Sequence, residues 1–88
     1  MEKLKNIGPT SAAWLAEIGI TSRAALADIG PVMVYKMIQH RHPGVNILLL
    51  YALQGAVMDV HWNALSPEMK AHLRHEADGT LTVGPAST

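Results

Sequence analysis

The side chains with the most chemical potential in this chain are its five histidines and two small groups of cations. His72 and His75 stand three residues apart in a stretch with helical character, with Glu68 and Glu76 one turn away. Zinc needs three or four ligands in tight geometry. No third ligand is spaced to join the histidine pair, so no metal site is expected. His61, beside Trp62, is expected to make a structural hydrogen bond at the core edge. For catalysis there is no Gly-x-Ser-x-Gly elbow, no glycine-rich phosphate loop and no carboxylate pair inside an apolar run. The chain has no cysteine, which excludes thiolate chemistry and disulfides. No catalytic residue, cofactor or small-molecule substrate is therefore expected. Two basic clusters remain. One is Lys3 and Lys5 with the stretch Asn6, Ile7, Gly8, Pro9, Thr10 and Ser11, and the other is Lys36, His40, Arg41 and His42.

Neither cluster is backed by a charge excess. Seven Lys and Arg face seven Asp and Glu, so the formal net charge is zero. That argues against a strongly basic nucleic-acid binder and against a polybasic membrane-surface protein. Hydrophobic residues make up 49% of the chain and charged residues 16%, against roughly 25% in an average domain. Such a composition excludes intrinsic disorder. Eighty-eight residues suffice for one core and leave no room for a second. The most apolar run, Val45 to Met58, falls short of the ~20 residues that a spanning helix needs, and reads as a buried helix. Met1 to Asn6 includes Glu2 and leads into Gly8-Pro9 without an apolar stretch, so no signal peptide and a cytoplasmic location are expected.

Glycine and proline punctuate five helical segments. Gly8-Pro9 opens the first, where the missing N–H of proline costs nothing, and Gly19 closes it as a left-handed cap. Its expected buried stripe is Ala12, Leu15, Ala16 and Ile18, with Trp14 at the edge. Thr21 is the expected N-cap of the second helix, Ser22 to Ile29, whose apolar positions are Ala25, Leu26 and Ile29. Gly30-Pro31 starts a third helix that runs to about His40, and His42-Pro43-Gly44 breaks it. Asn46 can cap a fourth, from Ile47 to about Val60. Being apolar nearly all round, that helix is expected at the centre with the other four about it. Gly55 and Ala56 would let a neighbouring helix approach closely. Ser66-Pro67-Glu68 starts the fifth, expected to end near Ala77 with Gly79 as its stop. Residues 1–78 then form the helical domain and residues 79–88 a flexible tail. The fold class is all-α, a bundle of about five helices.

One internal repeat stands out. Leu4-Lys5-Asn6-Ile7-Gly8-Pro9 recurs 22 residues later as Leu26-Ala27-Asp28-Ile29-Gly30-Pro31. Each unit reads Leu-x-x-Ile-Gly-Pro and leads into a helix, whose unpaired N–H groups can hold a phosphate. The pattern resembles the helix-hairpin-helix motif of DNA-binding and repair proteins, with the first glycine of its signature replaced by Asn6 and by Asp28. Asparagine tolerates a left-handed backbone, so the first unit is expected to keep that geometry. Asp28 puts a negative charge where a phosphate would sit. The second unit, Ile29, Gly30, Pro31, Val32 and Met33, therefore reads as a packing or partner-binding element.

A wider resemblance spans Leu4 to about Ala77. The residues Asn6-Ile7-Gly8-Pro9-Thr10-Ser11, Trp14-Leu15 and Gly19-Ile20 are similar to the C-terminal domain of the TfoX/Sxy family, bacterial regulators of DNA-uptake competence. So are Leu26, Ile29-Gly30, Tyr35, Asn46, the run Leu49 to Ala56, His61-Trp62, Leu65-Ser66, Lys70 and Leu73. The resemblance implies tandem helix-hairpin-helix-like units and a regulatory rather than enzymatic role. Full-length members carry an N-terminal domain, so this chain is expected to be the stand-alone C-terminal part. The leading expectation is a module that binds a protein partner or itself. The alternative is sequence-independent DNA-backbone binding through Lys3, Lys5 and the turn Asn6, Ile7, Gly8, Thr10 and Ser11.

Overall fold

Local signals at the start of each helix set the architecture. The computed structural model describes residues 3–82, and side chains as far as Asp78. The helices are α1 (Pro9–Glu17), α2 (Arg23–Ile29), α3 (Pro31–Arg41), α4 (Ile47–Met58) and α5 (Pro67–Thr82), with a 3-10 turn at Trp62–Ala64 between the last two. No strand occurs among the described residues. Proline occupies the first helical positions of α1 and α3. Ser22 caps α2, its Oγ accepting the Ala25 N–H at 3.1 Å. The cap thus falls one residue beyond Thr21, because a serine at Ser22 reaches the third N–H of a helix starting at Arg23. Asn46 Oδ1 accepts the Leu48 N–H at 2.9 Å, and Ser66 Oγ accepts the Met69 N–H at 3.0 Å.

Helix ends depart further from expectation. Gly19 does close α1 in a left-handed conformation, with φ of +80°. The Ile20 N–H bonds back to the Leu15 carbonyl at 2.9 Å, which brings Ile20 into the core at 1% exposure. α4 ends two residues before Val60. Asp59 takes the left-handed position with φ of +60°, and the Val60 N–H bonds to the Gly55 carbonyl at 2.9 Å. Both ends are Schellman turns, the second made without glycine. α5 does not stop at Ala77 but continues through Gly79 to Thr82. A glycine inside a helix costs only about 1 kcal/mol relative to alanine, too little to force a stop by itself. The expected tail therefore begins as helix, and residues 83–88 lie outside those described.

The core is built on α4, which has no charged residue. It packs against α2, α3, α5 and the 3-10 turn. Leu50 and Leu53 of α4 are fully buried with Leu26 of α2, and Val34 and Ile38 of α3. Each such side chain contributes about 1.5–3 kcal/mol through burial. α1 does not lie along α4 as the other helices do. It is anchored through buried Leu15, while Ala16 is exposed rather than part of the buried stripe. Nor does a helix approach Gly55: the groups against it are the Asn6 side chain and the backbone at Val60 and Trp62. Leu65 is buried and Trp62 half-buried, covering this end of the core. Lys70 Nζ lies over the Trp62 ring, 5.1 Å from its centre, and Arg74 donates to the Tyr51 hydroxyl at 2.7 Å.

Candidate functional site

The two Leu-x-x-Ile-Gly-Pro units share a sequence but not a conformation. In the first, the Ile7 N–H bonds to the Leu4 carbonyl at 3.2 Å, closing a turn over Lys5 and Asn6. Asn6 has φ of +70°, the left-handed backbone expected of it. Its side chain is directed at the far end of α4. Nδ2 donates to the Val60 carbonyl at 2.9 Å and more distantly to Ala52 at 3.5 Å, and Oδ1 accepts the Trp62 N–H at 3.2 Å. The amide is therefore spent inside the fold. Gly8 is the N-cap of α1 in an extended conformation, with no side-chain cap and no acidic residue in the first turn.

Lys3, Lys5, Asn6, Ile7 and Gly8 line one shallow groove, as their sequence positions suggest. Thr10 is exposed and lies outside it, while Ser11 faces a neighbouring groove bounded by Trp14, Leu48 and Trp62. Sequence reasoning missed Asp59, which joins the first groove and sets a carboxylate on its rim. The left-handed turn after α4 puts it there, and only a helix ending at Met58 would have revealed it. Arg23 reaches the same carboxylate at 3.8 Å, with both side chains largely in solvent.

In the second unit the glycine carries the unusual backbone. Gly30 has φ of +99° and ψ of 142°, whereas Asp28 lies within α2. The Gly30 N–H bonds to the Leu26 carbonyl at 2.8 Å, and its own carbonyl accepts the Val34 N–H at 3.1 Å. One residue thus ends α2 and starts α3, and the two helices are joined with no loop. The first unit leads into a helix but follows none among the described residues. At the second turn Pro31 and Val32 are half-buried, while Ile29 and Met33 are 42% and 53% exposed. Ile29, expected among the apolar positions of α2, is instead turned outward, although the helix ends there as its sequence indicates.

The second basic cluster is divided. Arg41 Nε and His42 Nε2 both meet Glu17 Oε1, at 3.2 and 2.9 Å, tying the end of α1 to the end of α3. The His42 ring also stacks on Trp14 at 4.9 Å. The hydrogen bond from His42, with that from Arg41, holds the Glu17 carboxyl below its ordinary value near 4.5, against an opposing effect of burial. A depressed carboxyl favours the folded state above the unfolded value, and the benefit is lost as pH falls through the folded one. The tie is therefore expected to be whole above pH 4.5 and to open below it. A carboxyl-carbon NMR titration checks this, and a Glu17 midpoint at or above the ordinary value would refute it. Lys36 and His40 take no part in the tie. His72 pairs with Glu76 at 3.2 Å, and among the described residues no three His, Asp or Glu side chains converge on a metal position. No described helix is long and apolar enough to cross a membrane.

Comparison with known proteins agrees with this geometry. The model of the TfoX C-terminal domain matches residues 1–77. Two crystal structures are similar along nearly the whole chain. An uncharacterised protein from Listeria monocytogenes, in a triclinic form, superposes with a TM-score of 0.81 at 29% identity, over 90% of each chain. A protein of unknown function from the same organism, in a tetragonal form, gives 0.81 at 30% identity, over 92% of this chain and 99% of the other. No protein of curated function matches. With its turns, core and helix order all falling inside the matched span, the chain belongs to the TfoX C-terminal domain family.

Proposed function

We propose that this domain is a non-enzymatic regulatory or interaction module of the cytoplasm, binding a protein partner or a second copy of itself through the α2–α3 turn. One observation carries the reading: Ile29 and Met33 are exposed on either side of a joint that has no loop and whose φ is fixed at Pro31. Large apolar side chains held on a preorganised turn lose little entropy on binding, which is what an interaction surface requires. A random peptide-display library panned on the immobilised domain tests it. Wild type should enrich binders that a folded Ile29→Asp/Met33→Asp variant no longer retains. Binders indifferent to both changes, or none at all together with a monomer at high concentration in sedimentation equilibrium, would overturn it.

Backbone binding to DNA through the first turn is the second reading. It draws on exposed Lys3 and Lys5 beside the start of α1, which no side chain caps. Asp59 in the same groove and the committed amide of Asn6 weigh against it. Duplex DNA at low salt should shift the amides of Gly8 to Ser11 first if this reading holds, with an affinity that falls steeply as salt rises. Silence at those amides removes it.

A further inference from the structure

The Lys36 side chain ends in an ammonium that is covered and has no hydrogen-bond partner among the described residues. Burying such a group without a counter-charge is unfavourable. Glu17, the acid that meets this end of α3, is engaged by Arg41 and His42. Lys36 instead lines a mostly apolar groove with Ile18, Met37, His40 and Arg41, open along one side. On α3 itself, Val34, Tyr35 and Ile38 form the buried face, and Met33, Lys36, Met37 and His40 fall on the opposite side at helical spacing. From Met33 to Arg41 that strip is about 12 Å long, at a rise of about 1.5 Å per residue.

We propose that this strip receives an acidic amphipathic helix of a partner protein, one carboxylate of which pairs with the Lys36 ammonium while aliphatic side chains cover Met33 and Met37. The proposal rests on the interaction-module reading and adds the chemistry of the partner. Charge complementarity selects the occupant: no acid lines the groove, and of its cations Arg41 is tied to Glu17 while Lys36 and His40 stand outside that tie. Its straight course along one helix suits a second helix laid beside it, anchored at intervals of three and four residues. Because the groove is open and the lysine stem flexible, rotation about its terminal bonds brings the ammonium to an entering carboxylate.

The same display library tests the proposal, panned on wild type, Lys36→Met and Lys36→Arg. Wild type should select peptides with Asp or Glu spaced three or four residues from aliphatic positions. Their affinity should fall about tenfold or more on Lys36→Met and be largely kept by Lys36→Arg, since truncating one partner of a shielded charge pair is costly. Changing the peptide's acid to its amide should do nothing further on Lys36→Met. A melting curve for each variant confirms that it folds. Binders lost on Ile29→Asp/Met33→Asp but indifferent to Lys36→Met overturn the charge pairing and leave the module reading standing. No binder at all overturns both. Self-association that Lys36→Met abolishes assigns the strip to a second copy and overturns the partner helix.

Discussion

Gly55→Ala is expected to destabilise the domain by about 2 kcal/mol, although the position is helical and buried. Alanine at a helix interior would ordinarily gain about 1 kcal/mol over glycine. Here the added Cβ would lie 2.7 Å from the Val60 carbonyl oxygen and 3.4 Å from the Trp62 Cα, with the Asn6 amide nitrogen also in the way. The Val60 oxygen is backbone, so no side-chain rotation relieves that contact. Overpacking costs about 1–3 kcal/mol and occasionally more. With two atoms inside contact distance the upper end applies, which leaves about 2 kcal/mol after the propensity gain. In a domain this small the melting temperature should fall by about 10 °C. Thermal unfolding followed by circular dichroism reads the effect directly. A variant as stable as wild type would mean that the Val60–Trp62 segment moves aside without cost.

Substitutions at Asn6 should separate two contributions that the native residue combines. Asn6→Gly keeps the left-handed backbone and removes the hydrogen bonds to Val60 and Trp62, a loss of about 2 kcal/mol at about 1 each. Asn6→Ala loses the same bonds and also places a Cβ-bearing residue without a local hydrogen bond at φ of +70°, for a total of about 3 kcal/mol. The expected order of stability is therefore Asn, then Gly, then Ala. Equal values for the glycine and alanine variants would show that the backbone contributes nothing. Because the Asn6 amide is one of the groups crowding Gly55, the double variant Asn6→Ala/Gly55→Ala should be less damaged than the two single losses together. Chemical denaturation of the four proteins completes that cycle.

Helix starts were legible because their signals are local. Pro9, Pro31, Asn46 and the Ser66-Pro67 pair each act within one turn of chain, and each lies where its chemistry indicates. The central place of α4 was legible for a similar reason, since twelve residues without a charge must be enclosed. Helix ends were less so. Nothing local marks Asp59 as left-handed, and Gly79 was too weak a breaker to end α5 against its neighbours. Long-range features were hidden altogether. The backbone of Asn6 could be inferred from its residue type, but the partners of its amide could not, because they lie far along the chain. Exposure of Ile29 depended on which neighbours α2 meets, and the covered ammonium of Lys36 depended on how the chain packs around α3. Pattern separated the elements; only packing revealed which polar groups remain unspent.

The Asn6 contacts also set an order of events during synthesis. They join residues 54 and 56 positions apart, so the Asn6 side chain has no partner until Val60 and Trp62 have followed it from the ribosome. The caps of α2, α4 and α5 span only two or three residues and can close as soon as they emerge. Joining distant points costs loop entropy that only the assembled core can offset. The amino terminus of this domain is thus a late-closing latch. A nascent chain halted before Val60 would carry α1 with the Asn6 amide of its entry turn still unlatched.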